Sequence, residues 1–597
     1  MPNQAEIHAR ERADRALRSG RPAEALGQYW HLLAGVKADR AHYEAWLEGA
    51  VGAYLALGRT REAGYGLLAL RRYAEAQRHF PPAERPLEWA LAASRLGHHG
   101  DAARLLSERG HPALAAIELE AAGASAAARL EWERVLRDPR LAGRPYETVL
   151  AHFNLAEALL RIGDRSGASR EFSIAQRLLE EVADEFETRG ETERAFDCYS
   201  VLLRMGKDTG SFENVAEGYL NAIRIMAAAE DRYRVIHYHD DFLSYAAEKG
   251  EWHAAAMAAR QAADYSLRAG LPYDRHYLGR AIEAWTRAAR ENQTSGGPVD
   301  LTANALHAAI DAATALGDME TCGRLYGDLA ALQLSDKRRA RYRALARRYA
   351  ALPAEPLPPA VAFPEYLRRP DAYQDVWRQD LVEWELAGDP TAVLARLVVE
   401  RPPTEYTRRA LRALLLGSAP GFSWDNPAAL SELAVALGEV RFYDMLSPLD
   451  RLYDHHSAEV RAAVMRGVGQ ICVRRSFDLV RRGLADPSTR VVKDALGALS
   501  NLKFTDGLDP LIHIFREWTD PRVRVAALET IANIGTPAAA LVLIEAVRQE
   551  TGDVRAVAES RLGGLSGDEA SAMVRQARDA EVGERREALD RALRMIR

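Results

Sequence analysis

Eight glycines, each followed five positions later by a small residue, punctuate the first half of this chain. They are Gly20/Ala25, Gly58/Ala63, Gly97/Ala102, Gly123/Ala128, Gly163/Ala168, Gly190/Ala195, Gly250/Ala255 and, with cysteine as the small residue, Gly317/Cys322. Internal repeats of this kind constrain the fold before any single motif does. Glycine takes the left-handed conformation that closes a helix, and the small residue lets the next helix pack closely against the last. Each pair therefore predicts helix, tight turn, helix. The intervals between the glycines are 38, 39, 26, 40, 27, 60 and 67 residues. The two long intervals are expected to hold an extra helix pair whose turn has lost its glycine, for example at Glu230-Asp231. A second series takes over in the last third, ending at Leu437-Gly438, Val468-Gly469, Leu499-Ser500, Ile534-Gly535 and Leu562-Gly563, at intervals of 31, 31, 35 and 28 residues. The expected fold class is all-α, two α-solenoids in succession.

Six prolines (353, 356, 358, 359, 364 and 370) separate the two series. Proline at that density cannot continue a helix and favours extended, semi-stiff chain. The expected organisation is thus a solenoid over 1–350, a linker over 351–370 that acts as a hinge, and a second solenoid over 371–597. The charged tail after Gly563 is expected to close the second array with a polar face.

Around Gly163 the first series is fullest. Phe153-Asn154-Leu155-Ala156 precedes the turn, and Ala168, Phe172 and Ala175 follow it. This pattern resembles a tetratricopeptide repeat, and the resemblance extends over roughly residues 5 to 350. It implies a concave surface for protein partners, with Asn154 at a partner-facing position of the first helix. The lysines of the carboxylate-clamping variant of that family are missing. In the second series, Asp520-Pro521-Arg522-Val523-Arg524 is the best unit, echoed at Asp486-Pro487 with Arg490, at Glu459-Val460-Arg461 and at Asp553-Val554-Arg555. Asp caps the helix and Pro occupies its first turn without losing a backbone donor. This looks like the HEAT-like repeats of bacterial proteins named after phycobilisome lyases, over about residues 390 to 565. The resemblance implies that Asp486, Asp520, Arg461, Arg490, Arg524 and Arg555 brace neighbouring repeats.

The bulk composition excludes more than it identifies. The chain has 597 residues, 48% apolar and 27% charged, which is the range of folded domains rather than disordered chain. Its 79 basic and 85 acidic residues give a net charge of −6, so no global field points to nucleic acid or anionic membrane. Three distant cysteines, Cys198, Cys322 and Cys472, make no metal-ligand spacing and read as small core residues in a reducing compartment. The first residues carry no apolar signal region and no stretch is apolar enough to span a bilayer, so the expected location is cytoplasmic, without membrane insertion.

No phosphate-binding glycine loop, dinucleotide fingerprint, nucleophile elbow or His-Glu-x-x-His motif occurs. None of the sixteen histidines is followed by glutamate, unlike the di-iron enzymes built on HEAT-like repeats. In His237-Tyr238-His239-Asp240-Asp241 only His237 and Asp241 share a helix face, too few for a metal. Asp454-His455-His456 and His98-His99 fall in turns. The expectation is therefore no catalytic residue, no cofactor and no metal. Two basic clusters are candidates for partner contact: Arg338, Arg339 and Arg341 in the run 337–348, and Arg474, Arg475, Arg481 and Arg482 as a strip on the second solenoid.

These readings converge on a non-enzymatic scaffold that binds protein partners. One alternative is a nucleic-acid-binding protein using the basic strip. The other is a lyase- or chaperone-like factor acting on a cofactor-bearing protein.

Overall fold

In the computed structural model the chain is all-α: thirty-three α-helices and no strand among the described residues. These are all residues except 1–3, 34–38, 229–231, 353–356, 358, 364–375, 387, 402–403, 421, 472, 474, 503–507, 565–567 and 596–597. Glu230-Asp231 and Cys472 thus lie outside the described residues.

The two glycine series turn out to do different physical work. In the first, all eight glycines have positive φ, between +70° and +85°. A Cβ at Gly20, Gly58, Gly97, Gly123, Gly163 or Gly250 would meet nothing within 4 Å, and at Gly317 only Leu357 at 3.9 Å. Backbone conformation, not space, requires glycine there. The small partners Ala25, Ala63, Ala102, Ala128, Ala168, Ala195, Ala255 and Cys322 are all fully buried. In the second series the small residue serves close approach. A Cβ on Gly438 would lie 2.3 Å from the Gly467 Cα, and one on Gly469 would lie 2.9 Å from the Ala498 Cα. The helices Pro427–Val440, Ala458–Val468 and Thr489–Leu502 stack backbone to backbone through these points. Gly535 alone of that series closes its helix in the left-handed region, at φ +71°.

Contacts divide the chain differently from the expected boundary. One compact unit holds Met1–Glu181 together with Trp377–Arg597, and the other is Val182–Val376. The proline stretch is therefore no hinge between residues 1–181 and the C-terminal array. The physical reason is a continuous apolar core that runs through Ala9 to Ala92 and on through Val382 to Ala592. The helices Pro390–Glu400 and Glu405–Gly417 pack on Thr60–Ala69, and Pro390–Glu400 also packs on Pro86–Arg95. The Arg408 guanidinium sits 4.2 Å over the Tyr43 ring.

The helix Val376–Glu385 adds polar contacts to this joint. Glu385 accepts hydrogen bonds from the Ala113 and Leu114 amides at 2.7 and 2.8 Å, at the amide end of the helix Pro112–Ala121. Asp380 accepts from the Tyr146 hydroxyl at 2.9 Å and the Tyr443 hydroxyl at 3.3 Å, and pairs with Arg475 at 3.2 Å. Arg378 reaches Glu120 at 2.6 Å and Glu157 at 3.3 Å. Leu381 is fully buried, and Trp384 lies under the Arg140 guanidinium at 5.1 Å.

The second unit stacks eight helices from Thr192–Thr209 to Asp336–Ala350, each against the next. Its turns at Gly210, Gly250, Gly270, Gly296 and Gly317 are left-handed. Each long interval of the glycine series holds three helices among the described residues; the turns at 210, 270 and 296 keep glycine, and the connection expected at Glu230-Asp231 lies outside the described residues. Aromatic contacts tie the stack: Tyr219 meets Phe242 of the next helix at 5.3 Å, and Phe196 meets Tyr238 two helices on at 5.6 Å.

Candidate functional site

A cleft of about 830 Å³ opens in the first unit. One wall comes from the helix Pro22–Leu33 and the end of Arg40–Ala56; the other comes from Glu405–Gly417 and Pro427–Val440. Its volume falls within the range of sites that enclose a drug-sized ligand. The floor is apolar: Leu26, Trp30, Tyr54, Leu415 and Val435. Trp30 Nε1 donates to the Tyr54 hydroxyl at 2.7 Å, so the two rings are fixed with their polar edges satisfied. Burial pushes the Tyr54 phenol up to about 12, which keeps it a neutral hydroxyl at ordinary pH.

Charges of both signs rim the cleft. Arg59 lies 4.8 Å over the Tyr54 ring and pairs with Glu62 at 2.8 Å. Arg412 faces Glu439 at 3.7 Å, both well exposed, and Arg466 pairs with Asp494. Gly27 sits mid-helix on the same wall with an ordinary negative φ, and a Cβ there would meet nothing within 4 Å. A side chain is absent there where neither turn nor packing requires its absence.

The residues singled out from sequence fall elsewhere. Asn154 is fully buried, its Nδ2 donating to the Leu150 carbonyl at 2.8 Å, so it faces the core and no partner reaches it in this fold. In the second unit, Arg338 is half-exposed and 3.5 Å from Asp300, Arg339 pairs with Asp336 in its own first turn, and Arg341 is exposed. Arg474 lies outside the described residues. Arg475 turns inward to Asp380 and Tyr443, whereas Arg482 is held by Asp450 and Asp454 over the Tyr453 ring. Arg481 is partly buried on the same helix as Arg482, Ser476–Leu484. The structure therefore does not gather these arginines into a strip of uncommitted cations.

The residues expected to brace neighbouring repeats lie among the C-terminal helices, and Asp486 and the arginines make contacts outside their own helix. Arg461 bonds Asp486 through Nε at 2.7 Å and Nη2 at 3.1 Å, and Asp486 also accepts from Tyr453 at 2.8 Å and the Ser488 amide at 2.9 Å. Burial alone would push the Asp486 carboxyl up, but these hydrogen bonds outweigh it and hold it below the ordinary range. Arg524 bonds the Phe515 carbonyl at 2.8 Å and grips Glu550 with both Nη atoms. Arg555 donates to the Glu584 carbonyl at 2.8 Å, and Arg490 lies 3.8 Å from Glu459. Asp520 caps its helix through the Arg522 amide at 2.9 Å.

Among the histidines, His237 Nε2 lies 3.4 Å from Asp241, the one pair expected to share a face. His239 is buried, which pushes its imidazole down to about 4. Among the described residues no group of three or more His, Cys, Asp or Glu is placed to hold a metal. His455 Nδ1 accepts from the Ser457 amide, and His99 pairs with Glu118 at 2.8 Å.

The cleft residues gave no local sign in the sequence, because its walls come from residues 26–59 and 412–466, far apart along the chain. Only Gly27, a glycine in the middle of an amphipathic helix with no turn to make, was a usable signal.

A family model for HEAT repeats matches residues 494–563. No curated protein matches the chain. Among solved structures, an engineered protein aligns at 16% identity over 70% of this chain and 98% of its own, with a TM-score of 0.21. The structure of Naa15/Naa10 bound to HypK-THB aligns at 12% identity over 99% of this chain and 100% of that one, with a TM-score of 0.20.

Proposed function

We propose that this protein is a non-enzymatic scaffold of the cytoplasm that holds an apolar segment of a protein partner in the 830 Å³ cleft. The observation that carries this reading is the cleft itself: an apolar floor, Trp30 and Tyr54 locked edge to edge, and a rim of opposite charges. Aromatic anchors within a polar rim are the usual anatomy of a protein-binding surface. The HEAT-repeat match supports an interaction role. No helix among the described residues is long and apolar enough to cross a membrane. The nucleic-acid alternative draws no support from Arg475 and Arg482, whose charges are met by carboxylates. The lyase- or chaperone-like alternative rests on resemblance alone.

Gly27→Trp tests the reading, since it fills the cleft from a position with open space around it. A photo-crosslinking side chain at Val435 is expected to capture a discrete partner polypeptide in cells, and Gly27→Trp to abolish that capture without lowering the melting temperature. The same side chain at Leu541, exposed and outside the cleft, is the control. Equal capture at both positions, or capture that survives Gly27→Trp, would overturn the proposal.

A further inference from the structure

The proline-rich stretch does more than connect. Residues 357 and 359–362 are exposed, yet Phe363 is only 4% exposed. Its ring lies edge-on to Tyr273 at 5.4 Å and roughly parallel to His237 at 6.5 Å, both within the distances of favourable aromatic pairs. His237 belongs to the first half of the helix Arg232–Glu248, and Tyr273 immediately precedes Asp274–Thr294. Further along, Leu357 lies over Gly317, where Val299–Leu316 ends. Consecutive helices of this stack run antiparallel, so these three points mark the same edge of the second unit. Leu357 and Phe363 thus both meet the second unit at that edge, and Phe363 inserts an aromatic side chain.

The fit of Phe363 is incomplete. His237 Nδ1 is buried with no hydrogen-bond partner, and a phenylalanine ring supplies neither donor nor acceptor. A buried polar atom left in this state disfavours the arrangement that leaves it so. The segment is kept in place by its covalent tether, which presents it at an effective concentration on the order of millimolar.

We propose that the His237–Tyr273 site is a peptide-binding site that the chain's own Phe363 occupies until a partner displaces it. The ligand class follows from what now fills the site. It is an extended, proline-containing peptide with an aromatic side chain; tyrosine keeps the ring and adds a hydroxyl, the kind of group that the unpartnered His237 Nδ1 lacks. Proline suits the role because a pre-extended chain loses little entropy on docking. This surface is separate from the cleft described above, so neither proposal depends on the other.

Two labelled peptides test it by fluorescence anisotropy against the full chain: the sequence of residues 357–363, and the same sequence ending in tyrosine. Phe363→Ala empties the site, and both peptides are expected to bind that variant about tenfold or more tighter than the wild type, with the tyrosine form at least as tight as the phenylalanine form. Circular dichroism on the variant checks the fold, and Phe363→Leu repeats the measurement with an apolar side chain retained should Phe363→Ala melt early. Equal binding to wild type and variant, or no binding to either variant, would overturn the proposal. Light scattering on Phe363→Ala separates the remaining occupant: a dimer forming through exchanged segments in the wild type, and absent from the variant, would assign the site to a second copy and also overturn it.

Discussion

At the scale of single residues, two glycines of similar appearance carry opposite constraints. Gly163 is needed for its φ of +85° and has open space where a Cβ would stand. Gly438 has an unremarkable φ, but a Cβ there would sit 2.3 Å from Gly467 Cα and 2.4 Å from its carbonyl oxygen. Gly163→Ala is expected to cost about 1 kcal/mol, the penalty of a left-handed non-glycine residue. Gly438→Ala is expected to cost about 3 kcal/mol, because two helix backbones must part and neither can rotate out of the way. Urea denaturation of the two variants checks this, and a larger loss for Gly163→Ala would show the two roles to be assigned the wrong way round.

At the scale of elements, the C-terminal helices are joined by charged groups that span from one repeat to the next. The Arg461–Asp486 pair is the most buried of those expected from the sequence, with side-chain exposures of 16% and 3%. Arg461→Ala leaves a carboxylate in the interior with Tyr453 and one amide, and is expected to destabilise the fold by about 2–3 kcal/mol. The pH dependence follows from the lowered carboxyl of Asp486. A depressed acid contributes stability above its unfolded value of about 3.9, and that contribution fades as pH falls through the folded value. Denaturation curves between pH 2 and 5 should therefore show an acid-side loss in the wild type, setting in below about 4, that is smaller in Arg461→Ala. The repeat positions of Asp486 and Arg461 were legible because each recurs near a helix start. The burial of Asn154 was not legible for the opposite reason: the local pattern marks which helix it lies on, but that helix is covered by neighbours the pattern does not name.

At the scale of the whole molecule, residues 1–181 and 377–597 form one compact unit, and Glu385 is a polar group at their joint whose charge is disfavoured by burial. Burial pushes its carboxyl up to about 7 despite the two amides that donate to it. For an acid raised in the folded state, the protonated form is the favoured one. Its contribution to stability is thus full below the unfolded value of about 4.3 and is lost as pH rises through about 7. Glu385→Gln keeps an acceptor for the Pro112–Ala121 helix but cannot ionise. The wild type is expected to lose on the order of 2–3 kcal/mol between pH 5 and 8, a slope that Glu385→Gln lacks. Chemical denaturation at three pH values checks it, and parallel profiles for the two proteins would remove Glu385 from this role.

The helices and most of their turns are legible along the chain. A left-handed glycine, a capping aspartate and an alanine at a helix crossing act over a few residues, so their spacing is visible along the chain. Which helices share a core, where the cleft opens and what Phe363 touches are set by packing between distant parts of the chain. Apolar burial is non-directional: an apolar helix face specifies that it will be covered, not by which of thirty-odd other helices. The Gly-x4-small repeat therefore announced a stack of helices but was silent on the joint that brings the two ends of the chain together.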